Sequence, residues 1–396
     1  MNSQPPQSAA TPMNAATSAS TPINAPTAQK QQTRTPLVLK SIISIDLGRT
    51  ATKTCVGRDE GTVAFIPANA IQKPVQDLRG GTFEVRPTDP LMDLWLEYQG
   101  NGYALGQLAA DFGAKLFSDG GSDRRDKESK TENALAKVLG CIGYFSKELR
   151  DKDDLSIVIS LPYYSQEEFE REKEKLISQL TGPHTMVFRG EQMNLNITKV
   201  WVIPEGYGSL IWCEAQPKRS ASATPAPDFS KISVAIVDIG HQTTDCLMVD
   251  NFRFARAASK SEPFAMTKFY EQVAAQIEGA DPQSLSLIEA VNRPRGDRFY
   301  RPRGALKPTN LDDTLPNLKE GFSREICNRI LDWLPERVTH VILTGGGGEF
   351  FAEDIERLLK DARINTYLAA PCRQANALGQ YIYAEAQLAA PSASRQ

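Results

Sequence analysis

Apolar residues along this chain gather into short runs that close on glycine or proline. LVLKSIISIDLG (37–48), SIVISLP (156–162), VWVIPEG (200–206), SVAIVDIG (233–240) and HVILTGGGG (340–348) are such runs, rich in the β-branched residues that suit a pleated, buried surface. Helical-looking segments lie between them; EFFAEDIERLLKDA (349–362) has the spacing of an amphipathic helix. Strands alternating with helices predict α/β sheets with covering helices.

The pattern breaks in four places. Residues 1–36 are built from Ala, Thr, Ser, Pro, Asn and Gln with no aromatic and no acidic residue, so they bury too little apolar area to offset ordering entropy and read as a disordered tail. A transit peptide would share that composition, but Lys30 and Arg34 are the tail's basic residues and no amphipathic period accompanies them. Order is expected from about Leu37. SDGGSDRRDKESK (118–130) and QPKRSASATPAPDFSK (216–231) read as surface loops, the second a flexible connector ahead of a strand. VNRPRGDRFYRPRGALKP (291–308) carries five arginines and a lysine around Phe299 and Tyr300. Such a run is usually a solvated loop; the functional alternative is contact with a polymer neighbour, DNA or an adaptor.

Length and charge narrow the class. A chain of 396 residues predicts two domains with sizeable cores. With 41% apolar residues, 23% charged residues and a net charge of −3, it lacks the broad basic excess of a nucleic-acid coat. No apolar run approaches the roughly 18 residues that a membrane helix needs, and no cationic segment followed by a hydrophobic one opens the chain. Six scattered cysteines without a CxxC pair or clustered histidines point to reduced thiols in a cytoplasm.

Two segments look like versions of one device: Asp46-Leu47-Gly48-Arg49-Thr50-Ala51-Thr52-Lys53 and Asp238-Ile239-Gly240-His241-Gln242-Thr243-Thr244-Asp245. Each sets an Asp at the end of a buried strand and then turns at glycine, which lets backbone N–H groups point inward as phosphate oxygens require. Either alone is weak evidence, because a strand ending in Asp before a Gly turn is common as plain turn chemistry. Facing one another, they would clasp a polyphosphate. Their two aspartates could approach only with a cation between them, and Mg²⁺ suits carboxylates combined with phosphates and water. Lys53 could reach the phosphates. Thr344-Gly345-Gly346-Gly347-Gly348 adds a third element, a strand-to-helix junction that would place a helix N-terminus beside an anion or ribose.

In chain order IDLGRTATK, VIPEG, VDIGHQTTD, LTGGGG and ANALGQYIYA resemble the phosphate-1, connecting, phosphate-2, adenosine and second connecting motifs of the actin, sugar-kinase and heat-shock ATPase superfamily. The spacing and the DIGxxTTD form look closest to bacterial plasmid-segregation actins of the ParM/StbA type. The resemblance spans roughly residues 40–388. It implies an actin-like bilobed α/β fold of two ribonuclease-H-like lobes, with lobe I at 37–203 plus 372–390, lobe II at 204–371, and the nucleotide cleft between them.

It implies further that ATP, with GTP as the alternative, is the cofactor together with Mg²⁺. Asp46 and Asp238 would organise the metal through water. Gly48, Arg49, Thr50 and Lys53, with Gly240, His241, Gln242 and Thr243, would bind the phosphates, and Thr344, Gly345, Gly346 and Gly347 would underlie the adenosine. Glu205 occupies the position that orients the attacking water, making Glu205, Asp238 and Asp46 the expected catalytic set. On its residues alone, Glu205 reads equally as a helix first-turn carboxylate. Arg49 stands where a small residue is usual, and His241 is similarly unusual; a lone His is more often structural than a base.

The expected function is an ATPase whose slow hydrolysis accompanies filament assembly in the cytoplasm. A separate DNA-binding adaptor would be needed, since no DNA-reading motif is present. Another bacterial actin-like cytoskeletal protein and a small-molecule kinase on the same fold are the alternatives. A chaperone-like ATPase would need a large peptide-binding domain after the lobes. Membrane attachment would need an amphipathic helix that neither end of the chain provides.

Overall fold

Strands β1 (Ser41–Leu47) and β7 (Leu155–Leu161) are buried along their whole lengths, as parallel strands covered on both faces must be. They pair in parallel with each other, and β7 pairs in parallel with β9 (Glu191–Pro204). On the other side of β1, β2 (Ala51–Cys55) and β3 (Val63–Pro67) run antiparallel. Strands β4 (Ala70–Lys73), β5 (Leu94–Tyr98), β6 (Asn101–Leu105) and β8 (Gly182–Phe188) extend this sheet, giving the order β3-β2-β1-β7-β9-β8-β5-β6-β4. The computed structural model describes residues 41–80, 87–114, 133–216 and 227–390. The expectations for the tail at 1–36, the insert at 118–130 and most of the connector at 216–231 lie outside these residues.

A second sheet repeats the first one's plan. Strand β10 (Ser233–Ile239) pairs antiparallel with β11 (Thr244–Asp250), which pairs with β12 (Arg253–Phe254) and β13 (Lys260–Glu262). The short strands β14 (Phe299–Tyr300) and β15 (Thr309–Asn310) form a separate hairpin. Strands β16 (His340–Thr344) and β17 (Asn365–Leu368) continue the second sheet in parallel with β10, in the order β12-β11-β10-β16-β17. Both sheets thus hold an antiparallel three-strand meander followed by two parallel strands, the arrangement expected of two ribonuclease-H-like lobes.

Strand β10 explains how the halves are joined. Its alternate residues Val234 and Ile236 enter the core that also holds Ile43, Ile157 and Val202, while Ala235, Val237 and Ile239 enter a second core with Phe269, Phe322, Ile326 and Phe351. The helices Tyr207–Ala215 and Ala375–Ala389 contribute Leu210, Trp212, Ala375, Ala377 and Leu378 to the shared core. The described residues accordingly form one compact unit.

Those two helices meet glycine to glycine. A Cβ on Gly379 would lie 1.7 Å from the Gly208 carbonyl oxygen, and one on Gly208 would lie 2.3 Å from the Asn376 carbonyl oxygen. Backbone is packed on backbone here, with no room for even a methyl group.

Two local expectations are corrected. The helix after β16 starts at Gly345, so the glycine run is its first turn and not a junction before it. A Cβ on Gly347 would lie 2.4 Å from Ile239 Cγ2, and this close seat on the end of β10 overrides glycine's poor helix propensity. Phe229, read within a flexible connector, is 2% exposed and stacks edge-on against Tyr367. All six cysteines are free, and no helix among the described residues is long and apolar enough to cross a membrane.

Gly379→Ala is expected to destabilise the protein by about 3 kcal/mol or more, because an overpacked backbone contact cannot relax through a side chain. Gly321→Ala, on an exposed helical face with nothing within 4 Å, should be neutral or stabilising by up to about 1 kcal/mol. Urea unfolding of the two variants compares them directly, and equal midpoints would show that the helix crossing tolerates a methyl group.

Candidate functional site

The β1–β2 and β10–β11 turns place equivalent residues at equivalent registers. In the first, Asp46 is opposite Lys53; in the second, Asp238 is opposite Asp245. Each turn is closed by its own backbone: Gly48 N–H donates to Asp46 O at 2.9 Å, and Gly240 N–H donates to Thr243 O at 2.9 Å. A Cβ on Gly48 would sit 2.4 Å from Ala51 O, so this turn requires glycine. The carbonyls of the second turn are held from below, with Thr267 N–H and Oγ1 both donating to His241 O at 2.7 Å.

Both turns open on one cavity of about 810 Å³. Asp46, Gly48, Arg49, Thr50, Lys53, Glu205, Asp238, Gly240, His241, Thr243, Gly345, Gly346 and Gly347 all line it. Thr344 and Gln242 are not among the lining residues. Thr344 is fully buried beneath the floor, its Oγ1 2.8 Å from Ser209 Oγ and donating to Cys372 O at 3.3 Å. Gln242 Oε1 is buried without a hydrogen-bond partner.

At the centre, Lys53 Nζ donates to Asp46 Oδ2 at 2.9 Å, and Ser160 Oγ donates to Asp46 Oδ1 at 3.1 Å. Asn376 Nδ2, from the helix that crosses at Gly379, donates in turn to Ser160 Oγ at 3.2 Å. Burial alone would lower the Lys53 pKa, but the charges of Asp46, Asp238 and Glu205, with the Asp46 hydrogen bond, raise it above its usual value. Lys53 is therefore a permanent cation among carboxylates. Glu205 is only 6% exposed and sits in the turn between β9 and the Tyr207–Ala215 helix, its N–H bonded to Leu161 O at 2.8 Å. The left-handed Gly206 (φ +85°) caps that helix, so Glu205 precedes the helix and is not a first-turn residue.

Gly345 (φ +81°) brings the helix N-terminus against the second aspartate: a Cβ there would lie 2.2 Å from Asp238 Oδ1. Among the described residues no three or more His, Cys, Asp or Glu side chains converge as a direct metal cage. Asp46 and Asp238, which line one cavity, instead suit a cation that keeps most of its water.

His241 is largely buried, and that burial, with the nearby Arg49 charge, lowers its pKa to about 4. It is neutral at pH 7, and its ring lies 5.8 Å from that of Tyr270. The rest of the cavity comes from residues that no local motif marks: Met266, Tyr270, Ile288, Asn292 and Arg373 on one side, with Phe65, Asn69 and Gln107 opposite. Asn292 Nδ2 donates to Tyr270 Oη at 3.1 Å. An aromatic ring, aliphatic side chains and an amide so placed can hold a flat, partly polar ring.

Comparisons with known proteins bear on the family and the fold. Residues 44–208 match the model described as the N-terminal domain of actin-like proteins, and residues 236–357 the model described as the C-terminal part of the archaeal, MreB-like actin homologue. The chain belongs to the actin-like proteins. Among solved structures it is similar to the actin-like protein Alp7A, at 16% identity and a TM-score of 0.65 over 88% of this chain and 97% of that one. It is also similar to the archaeal actin homologue Ta0583 in complex with ADP, at 19% identity and a TM-score of 0.61 over 87% and 99% of the two chains. The subunit of a 15-stranded ParM filament from Clostridium botulinum gives 17% identity and a TM-score of 0.61 over 88% and 99%. These likenesses show the actin-like fold. No curated protein matches the sequence.

A His held neutral in the fold lowers stability once the unfolded chain begins to take up protons. The contribution of His241 is therefore present in full above pH 6.5 and is lost as pH falls towards about 4. Unfolding midpoints of wild type and His241→Asn, measured between pH 7.5 and 4, should show the wild type losing more stability over that window. Parallel curves would place the ring in contact with water.

Proposed function

We propose that this chain binds ATP in the cavity and assembles into filaments, with slow hydrolysis of the bound nucleotide. The observation that carries the reading is the convergence of two Asp-ended glycine turns, the Gly345 helix N-terminus and Glu205 on one cavity. That an archaeal homologue was solved with ADP and a ParM as a filament supports it.

In this reading, backbone N–H groups at Gly48–Thr50 and Gly240–Thr243, with Lys53, hold the β- and γ-phosphates, and the Gly345–Gly347 turn approaches the sugar and base beside Tyr270. Asp46 and Asp238 would hold Mg²⁺, and the ion would supply charge neutralisation on the phosphates. Glu205 accepts a proton from the attacking water. Positioning and charge neutralisation by this apparatus suffice for slow hydrolysis. The assembly is head-to-tail, since heterologous contacts that do not close generate filaments. Segregation of plasmid DNA in the cytoplasm, with an adaptor protein linking filament to cargo, is the cellular role we assign.

Light scattering and pelleting with ATP–Mg²⁺, GTP–Mg²⁺, ADP–Mg²⁺ or no nucleotide test this reading. Polymer should form with ATP and decay as phosphate is released. Asp238→Ala should weaken nucleotide binding and assembly together. Glu205→Gln should bind ATP normally, slow phosphate release by about 100-fold or more, and prolong the polymer. ATP binding without any assembly would instead favour a small-molecule kinase or a monomeric switch.

A further inference from the structure

The segment after the Leu285–Asn292 helix repeats a tetrapeptide: Arg293-Pro294-Arg295-Gly296 and, eight residues on, Arg301-Pro302-Arg303-Gly304. The two copies fold alike. Asp297 N–H donates to Pro294 O at 3.1 Å and Ala305 N–H donates to Pro302 O at 3.1 Å, so each copy closes a four-residue turn with Arg second and Gly third. Gly296 and Gly304 take φ of +99° and +89°, the left-handed values that the third position of such a turn demands.

The turns are pinned from behind. Tyr300 and Pro302 are buried. Arg298 Nε donates to Arg293 O at 2.8 Å and its guanidinium pairs with Asp312 at 3.4 Å, while Asp312 also accepts from Gly296 N–H at 2.6 Å. One arginine is thus spent on holding the loop. The others face outward: Arg293, Arg295, Arg301, Arg303 and Lys307 are exposed, and none of them has an ion-pair partner among the described residues. Elsewhere Arg58, Arg79, Arg189, Arg324 and Arg337 each have a carboxylate. Residues 291–308 hold six cations against the single acid Asp297, on a chain whose net charge is −3.

We propose that the twin turns grip the phosphate backbone of double-stranded DNA without reading its sequence. Guanidinium forks match phosphate oxygens in pairs, and proline between the two arginines of each copy keeps them apart on a stiff, extended spacing, which lowers the ordering cost of binding. The surface is convex and open: a Cβ on either turn glycine would meet nothing within 4 Å. An acidic peptide would need a groove here, whereas a long, regular polyanion needs only repeated cations. A second copy of this chain is the rival occupant, but in its acid-lined groove at Glu167, Glu170 and Glu174 the carboxylate of Glu170 is already paired with Lys173 and Arg256. Contact through phosphates alone agrees with the absence of a base-reading motif.

The test is fluorescence anisotropy of two unrelated 30-base-pair duplexes titrated with the full chain, without nucleotide, from 50 to 200 mM salt. Four guanidinium–phosphate contacts give a log–log salt slope of about −3.6 and an affinity loss on the order of 100-fold over that range. Both duplexes should bind equally, and R293Q/R295Q/R301Q/R303Q should lose at least about 10-fold at 50 mM and flatten the slope. The control R150Q/R253Q/R363Q removes exposed arginines elsewhere and should bind nearly as wild type; equal thermal midpoints establish that both variants fold. Failure of the wild type to bind, or equal loss in the control, overturns the proposal. So does a turn variant that binds DNA normally and fails only to pellet with ATP, which would make the turns a contact between copies of this chain.

Discussion

The contact on which the rest of the molecule depends is the crossing of two helices at Gly208 and Gly379, where backbone meets backbone. A Cβ on Gly379 would fall 1.7 Å from the Gly208 carbonyl, so the two helices are as close as helices can be. Each belongs to a different part of the site. The Tyr207–Ala215 helix follows Glu205 directly, and the Ala375–Ala389 helix carries Asn376, which bonds Ser160 and through it Asp46. Lateral freedom at the crossing would therefore be transmitted to two carboxylates of the cavity. A larger residue there would push the ends of β1 and β10 apart, and the two turns would no longer face one cavity.

Much of this was legible because the chemistry sits where local signals are strongest. A strand that ends in Asp and turns at Gly declares both its burial and its turn within eight residues, and Asp46 and Asp238 indeed lie at the ends of β1 and β10. The repeated plan of the two sheets was implied only by the motif resemblance, because β1 with β7 and β10 with β16 pair across long intervening stretches of chain. What stayed hidden depends on tertiary distance. Tyr270, Asn292 and Arg373 reach the cavity from helices and a loop whose exposed faces are set by packing, and no spacing in the sequence marks them. The helical start at glycines 345–348 was hidden for the same reason: propensity argues against a helix, while at Gly345 and Gly347 the neighbouring Asp238 and Ile239 leave space only for glycine. Phe229 was masked by the polar residues around it, although its ring is part of the shared core.

The two turns are alike in backbone and unlike in charge, and that difference decides what the cavity can hold. At the register opposite the strand-end aspartate, the first turn has Lys53 and the second Asp245. Two Lys–Asp pairs would be self-neutralised, with no field left for a cation. Two Asp–Asp pairs would concentrate four carboxylates and push at least one towards protonation. With one of each, Lys53 answers Asp46 directly, and Thr243 Oγ1 donates to Asp245 Oδ2 at 3.2 Å. Asp238, Asp245 and Glu205 line the same cavity. The asymmetry gives the cavity a cationic wall and an anionic wall. Under the proposed function, a polyphosphate with a divalent ion would complement both, its phosphate oxygens answering Lys53 and the turn N–H groups and the cation answering Asp238. Neither turn alone offers that pair of surfaces, so under the proposed function a ligand touching both would favour the arrangement in which the two turns face each other.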